Sequence, residues 1–223
     1  MLFICYLKLL KLKHLKFTVY VLTLALFFGC NSSNIKNGDI VFRGISNSEL
    51  SEAINDVTQT SKRSNYAHMG VCEVENNTVY VYHADSKKGV IKEPLNKFCK
   101  TKETNYTVDV YRIKNATNTQ IEIALKQAKK LIGTPYNTTY ILEDEGVYCS
   151  EYIYEIYKTD SIFKLEPMTF KNPKTNAFHD GWIKHYAALG IEIPEGKLGC
   201  NPNGMANSNE LKFIKSIQKN LTH

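Results

Sequence analysis

The hydrophobic period of this chain differs between its two long stretches, and no other feature limits its fold as strongly. From Ala67 to Ile113 apolar residues recur mainly at every second position, and from Thr119 onward at every third or fourth. The first spacing alternates side chains across a strand, and the second gathers them along one side of a helix. With no internal repeat and no clear linker, strands followed by helices predict a single α+β domain.

Within that plan, 38–44 reads as an entry strand between glycines, and 48–60 has helical spacing through Leu50, Ile54 and Val57. The runs 67–74 and 79–84 flank Glu75-Asn76-Asn77-Thr78, whose asparagines tolerate the positive φ of a tight hairpin turn. A third strand is expected over 108–113. A helix should follow from Thr119, where Thr119 to Glu122 has the form of a capping box, to a stop at Gly133 and Pro135. Cys149, Tyr152, Ile153, Ile156 and Tyr157 fall on one side of a helix over 149–158, with the cysteine at its head. Further helices are expected over 180–189 and 208–220, on either side of a Gly- and Pro-punctuated stretch.

The N-terminus reads as an export signal. Lys8, Lys11, Lys13 and Lys16 precede an uncharged run from Phe17 to Phe28, and then come Gly29 and Cys30. The run is well short of the roughly 20 apolar residues that a spanning helix requires. A small residue before a cysteine at this point resembles a bacterial lipoprotein signal, in which Cys30 is lipidated and becomes the mature N-terminus. Ordinary secretion, with Cys30 free or bridged, is the alternative. The expected division is a signal over 1–29, a tether over 30–37 and a domain over 38–223. The expected location is a membrane-anchored lipoprotein facing the periplasm or cell surface.

Removing that leader leaves 24 basic against 22 acidic residues, so the apparent basicity belongs to the signal. No Lys/Arg block interleaved with aromatics remains, which excludes a nucleic-acid partner. With 43% hydrophobic residues the chain can bury a full core, and its four remaining cysteines, Cys72, Cys99, Cys149 and Cys200, are too widely spaced to imply a disulfide framework.

Those cysteines and two histidines carry the chemistry. A cysteine at a helix start faces unpaired N–H groups, which favour thiolate over thiol. A two-residue turn in the hairpin would put His68 opposite position 83 or 85, so that His68 and His83 share one sheet face in either register. His83 could then orient His68 as a base toward Cys149. For two arbitrary histidines, satisfied sheet residues are the commoner outcome. Zinc was weighed on His68, Cys72, His83 and Cys149, but residues four apart on a strand lie about 13 Å apart, so neither metal nor cofactor is expected.

The segments Asn65-Tyr66-Ala67-His68-Met69-Gly70-Val71, Val81-Tyr82-His83-Ala84 with Gly89-Val90, Gly133-Thr134-Pro135-Tyr136-Asn137 and Tyr148-Cys149-Ser150-Glu151 resemble, in that order, the YiiX-like permuted papain-fold hydrolases. That resemblance implies a circularly permuted papain-like fold, an antiparallel sheet packed against helices, with the histidine strand ahead of the cysteine helix. It implies Cys149 as nucleophile, His68 as base and His83 in the orienting position, where many relatives carry glutamate. The Cys149 N–H is the natural first oxyanion donor, and Tyr136 and Tyr148 are candidates for substrate or oxyanion contact, with aromatic packing around the cleft the alternative for both. The activity implied is amidase or peptidase chemistry through an acyl-enzyme, and an exported anchored enzyme would meet cell-wall peptides first. Lipid-directed amide or ester hydrolysis, acyl transfer, and a non-catalytic binding lipoprotein are the rival readings.

Overall fold

The computed structural model describes residues 34–44, 48–61, 64–100 and 108–217. The chain divides into two units, Met1–Asn34 and Ile35–His223, and the elements below belong to the second. The signal and the lipidation of Cys30 lie outside the described residues.

Six antiparallel strands form the main sheet in the order β4-β3-β2-β1-β5-β8. They are β1 (Ile40–Gly44), β2 (Tyr66–Glu75), β3 (Thr78–Asp85), β4 (Gly89–Pro94), β5 (Val108–Ile113) and β8 (Leu211–Ile217). Asn76 and Asn77, at φ 47° and 62°, close the β2–β3 hairpin, and the resulting pairing of Glu75 with Thr78 fixes the register of both strands. Two short strands, β6 (Glu166–Pro167) and β7 (Leu198–Gly199), pair separately.

The sheet is covered on both faces. One buries Ile40, Phe42, Met69, Val71, Tyr82 and Ala84 beneath helix α4 (Cys149–Tyr157), whose Cys149, Tyr152, Ile153, Ile156 and Tyr157 are all buried as their spacing requires. The other buries Val41, Cys72, Val79, Val81, Val108 and Val110 against Phe98, the last residue of the short helix α2 (Leu95–Phe98). Cys72 is thus a small core residue.

Helix α1 (Glu49–Val57) is capped by Ser48 and packs against α5 (Asp180–Leu189). Helix α3 (Asn118–Lys130) begins two residues earlier than its pattern suggested. Thr117 caps it, and Thr117 and Gln120 form the reciprocal box in place of Thr119 and Glu122. The helix expected over 208–220 is instead a short helix α6 (Pro202–Ala206) followed by β8. Leu211, Ile214 and Ile217 fit a helical spacing, but the outer edge of β5 presents backbone groups that a strand satisfies and a helix cannot. Strand β4 and helix α2 were not expected at all.

Candidate active site

The β2–β3 ladder stops short of its open end. Pairing runs from Glu75 with Thr78 to Val71 with Tyr82, although the same register continued would join Met69 to Ala84. Cys72 exchanges backbone hydrogen bonds on the β1 side, accepting from Gly38 and donating to Asp39, so the alternation turns the Met69 N–H toward β3. That N–H is directed at the sulfur of Cys149, as is the N–H of Ser150 in the first turn of α4. The nucleophile-type residue therefore sits at a fork between two strands, where groups from both faces of the sheet can meet.

His68 and His83 lie on the face opposite α4 and close the same fork. His68 Nε2 and His83 Nδ1 are 2.8 Å apart, and His83 Nε2 is 3.1 Å from Glu93 Oε1. In this register His83 stands across from Gly70, so its bond to His68 runs diagonally over the glycine. A Cβ on residue 70 would fall 2.9 Å from the Tyr82 carbonyl oxygen and 3.1 Å from His83 Cβ. Phe98 packs against both imidazoles, with ring centroids 5.6 Å from His68 and 5.1 Å from His83. Arg43, paired with His68 across β1 and β2, donates to the Phe98 carbonyl at 3.0 Å and lies over its ring.

Tyr136 arrives from the loop after α3. Val90 donates to Thr134 O at 2.8 Å and accepts from Gly133 N at 2.9 Å, while Val147 donates to Pro135 O at 3.1 Å. The first of these contacts requires Gly89, where a Cβ would stand 2.2 Å from the Thr134 oxygen. So anchored, the Tyr136 hydroxyl faces the thiol and backbone N–H of Cys149 and the hydroxyl of Tyr140. Asn137 holds the next turn: its Oδ1 accepts from Thr139 and Tyr140, and its Nδ2 donates to Ile141 O and to Glu151 Oε2. Glu151 Oε2 also accepts from the Tyr148 N–H at the start of α4. Arg43, His68, Asp85, Tyr136 and Tyr140 line a cavity of about 160 Å³ at this end of the sheet. A larger open depression of about 520 Å³ over α3, lined by Lys126, Lys129 and Glu73, contains none of these residues.

Tyr148 is directed elsewhere. Its hydroxyl accepts the Cys200 N–H at 3.2 Å, and it is an aromatic core residue that ties the 198–200 segment to α4. His179 caps α5, and His185 Nε2 is 2.7 Å from Thr138 O, so neither approaches the fork.

Burial sets the protonation states. Cys149 is 4% exposed, and desolvation pushes its thiol up to about 11, against the downward pull of the Ser150 and Met69 N–H groups, Arg43 and Tyr136. The N–H groups at the helix start pull toward thiolate as expected, and burial outweighs them. Desolvation, the Arg43 charge and His83 hold His68 well below its ordinary range. The hydrogen bond from His83, helped by Arg43, keeps Glu93 below the usual carboxylate range, so Glu93 is ionised. The resting site is thus a neutral thiol and a neutral imidazole.

A cysteine at a helix start, abutting an antiparallel sheet whose histidine strands precede it in sequence, defines a papain-like arrangement with permuted strand order. The chain belongs to the family of permuted papain-like amidases, the YaeF/YiiX or C92 peptidase family, whose profile matches residues 34–215. It is 32% identical over 125 residues to the uncharacterized protein YiiX of Escherichia coli K12, a match covering 55% of this chain and 57% of that protein. The chain thus matches little more than half the length of that relative. A crystal structure of YiiX from E. coli O157:H7, described as a metalloprotein, superposes with a TM-score of 0.66 at 23% identity, covering 82% of this chain and 98% of that one. The family implies a cysteine hydrolase acting on amide bonds.

Glu93 was missed by sequence reasoning. The only available signal was Gly89-Val90, which marks the start of β4, and four residues on from the glycine would have placed a carboxylate two positions beyond the residue facing His83.

Proposed function

We propose that this protein hydrolyses an amide bond through an acyl-enzyme on Cys149, with His68 as general base and acid and His83 as the residue that orients it. The observation that carries this reading is the end of the β2–β3 ladder, where the N–H of Met69, the residue next to His68, is directed at the Cys149 sulfur. Because His68 Nε2 is engaged by His83, Nδ1 is the nitrogen that takes the thiol proton as sulfur attacks the carbonyl carbon. The Cys149 N–H and the Tyr136 hydroxyl face the same space and supply donors for the developing oxyanion. His68 then returns its proton to the leaving amine, and water, deprotonated by the same nitrogen, releases the acid. Two neutral partners make the proton transfer part of the attack, not a step completed beforehand.

No step is routed through a metal. Among the described residues no group of three or more His, Cys, Asp or Glu side chains could hold an ion. His68 and His83 also spend facing nitrogens on each other.

The substrate proposed is a peptide, with cell-wall peptides first because the leader reads as an export and lipidation signal ending at Cys30. The test is incubation of the mature protein with soluble cell-wall peptides, reading new amine and carboxyl ends by mass spectrometry. Cleavage lost in Cys149→Ala and at least a hundredfold slower in His68→Ala is expected. Equal cleavage by Cys149→Ala would overturn the assignment.

A further inference from the structure

The histidine pair does not end at His83. In the β3–β4 register His83 faces Ile91 and Val81 faces Glu93, so Glu93 lies diagonally from His83 on the same sheet face. His68, His83 and Glu93 therefore form a line stepping across three adjacent strands, with nitrogen-to-nitrogen and nitrogen-to-oxygen distances of 2.8 and 3.1 Å. His83 is 1% exposed, enclosed between Phe98 and the neighbouring strands, so its ring nitrogens must be satisfied by the groups it faces.

We propose that Glu93 is a positioning residue of this site, the fixed acceptor that sets the tautomers of both histidines so that His68 presents an unprotonated Nδ1. The reasoning is a chain of donors and acceptors. A carboxylate can only accept, so His83 carries its proton on Nε2 and donates to Glu93. With its one proton on Nε2, His83 keeps a lone pair on Nδ1, and the 2.8 Å contact then has His68 donating from Nε2. His68 Nδ1 is left bare. Reversing any link reverses all of them, and a His68 with its proton on Nδ1 could not accept one from Cys149. This inference rests on His68 being the base of the proposed reaction.

The tautomers can be read directly by long-range ¹H–¹⁵N spectra of the full chain labelled on histidine, recorded at pH 8. The wild type should show both His68 and His83 as Nε2–H tautomers. Glu93→Ala should lose that uniformity, with Nδ1–H signal appearing on both rings. Glu93→Gln, whose amide oxygen can still accept, should restore Nε2–H on both. An Nδ1–H tautomer on wild-type His68, or unchanged tautomers in Glu93→Ala, would overturn the proposal. If Glu93→Ala does not fold, the wild-type and Glu93→Gln spectra decide, because an Nδ1–H signal on His68 in the wild type refutes it and Nε2–H on both rings in both proteins supports it. Acylation of Cys149 by p-nitrophenyl acetate, followed as nitrophenol release, separates this question from the reaction itself. Nε2–H tautomers in a protein that Cys149→Ala shows to be unreactive would leave the arrangement standing while the hydrolase reading fails.

Discussion

Gly70→Ala tests whether the sheet is built to let His83 reach across β2. The added Cβ would stand 2.5 Å from Val81 Cγ1 and 2.9 Å from the Tyr82 carbonyl oxygen, where ordinary contact begins at 3.4 Å. The methyl of Val81 can turn aside, but the Tyr82 carbonyl is backbone, so β3 itself must retreat by about 0.5 Å. A like displacement of His83 would stretch its 2.8 Å bond to His68 to about 3.3 Å, beyond the useful range for such a bond. Overpacking of this kind costs about 1–3 kcal/mol. Alanine in a strand recovers roughly 0.5–1 kcal/mol over glycine. The net loss, about 0–2.5 kcal/mol, corresponds to a fall in Tm of up to roughly 10 °C for a domain of this size. A thermal melt alone is therefore a weak discriminator, and histidine ¹H–¹⁵N spectra are the deciding assay. Gly70→Ala should remain folded while the His68 and His83 signals shift and broaden as their mutual bond is lost. A variant with wild-type Tm and unchanged imidazole signals would refute the close-approach argument.

Three further outcomes follow from the protonation states. His68 is held below its ordinary 6.5, so the unfolded chain binds a proton that the folded one refuses, and stability should decline as pH falls below about 6.5. Urea melts from pH 8 to pH 5 should show that decline flattened in His68→Gln. Alkylation of Cys149 by iodoacetamide should rise with pH toward a midpoint near 11, remaining slower than a denatured thiol below pH 9, and Tyr136→Phe should move the midpoint higher still. A midpoint at or below 8.5 would show that the thiol is not governed by burial. Glu151, pushed up to about 7 by burial, must ionise in a low-dielectric setting at the head of α4. Glu151→Gln, which still accepts the Tyr148 N–H, should therefore exceed wild type in stability by more at pH 8.5 than at pH 5; the same difference at both would contradict the raised value.

How much of this was legible in the sequence depends on the range of the physics involved. The hairpin was readable because Asn76-Asn77 fixes its register locally, and two of the site residues follow from that register by counting. The head of α4 was readable because four large side chains, Tyr152, Ile153, Ile156 and Tyr157, share one helical face with Cys149. Strand β4 carries Lys92, Glu93 and Pro94, which break any alternation, and its position is set by pairing with β3 and by the Val90 contacts to Gly133 and Thr134. Strand β8 is likewise decided by the unpaired edge of β5, a partner some hundred positions away in sequence. Cys149's protonation state was not legible for a related reason: the dipole at a helix start is a local property, whereas burial under Tyr136 and Met69 is a property of the assembled core.

An imidazole in the orienting position would leave the site weak if orientation and charge had to come from one side chain. A neutral imidazole supplies direction but little electrostatic support to a protonated His68. With Glu93 behind it the two tasks are divided, because His83 holds the ring and Glu93 supplies the negative charge along the same line of bonds. The added link has a chemical consequence. In the proposed reaction, as His68 takes the thiol proton on Nδ1, its Nε2–H would donate more strongly to His83, which in turn would donate more strongly to Glu93, so that charge developing on sulfur and imidazole is answered through the two hydrogen bonds. Arg43 acts in the opposite sense on His68, opposing its protonation, yet favours the thiolate of Cys149. One guanidinium thus keeps the base neutral at rest and stabilises the nucleophile once the proton has moved. In the proposed reaction, the line of three side chains on three strands is what would let a buried pair pass a proton where the β2–β3 ladder ends.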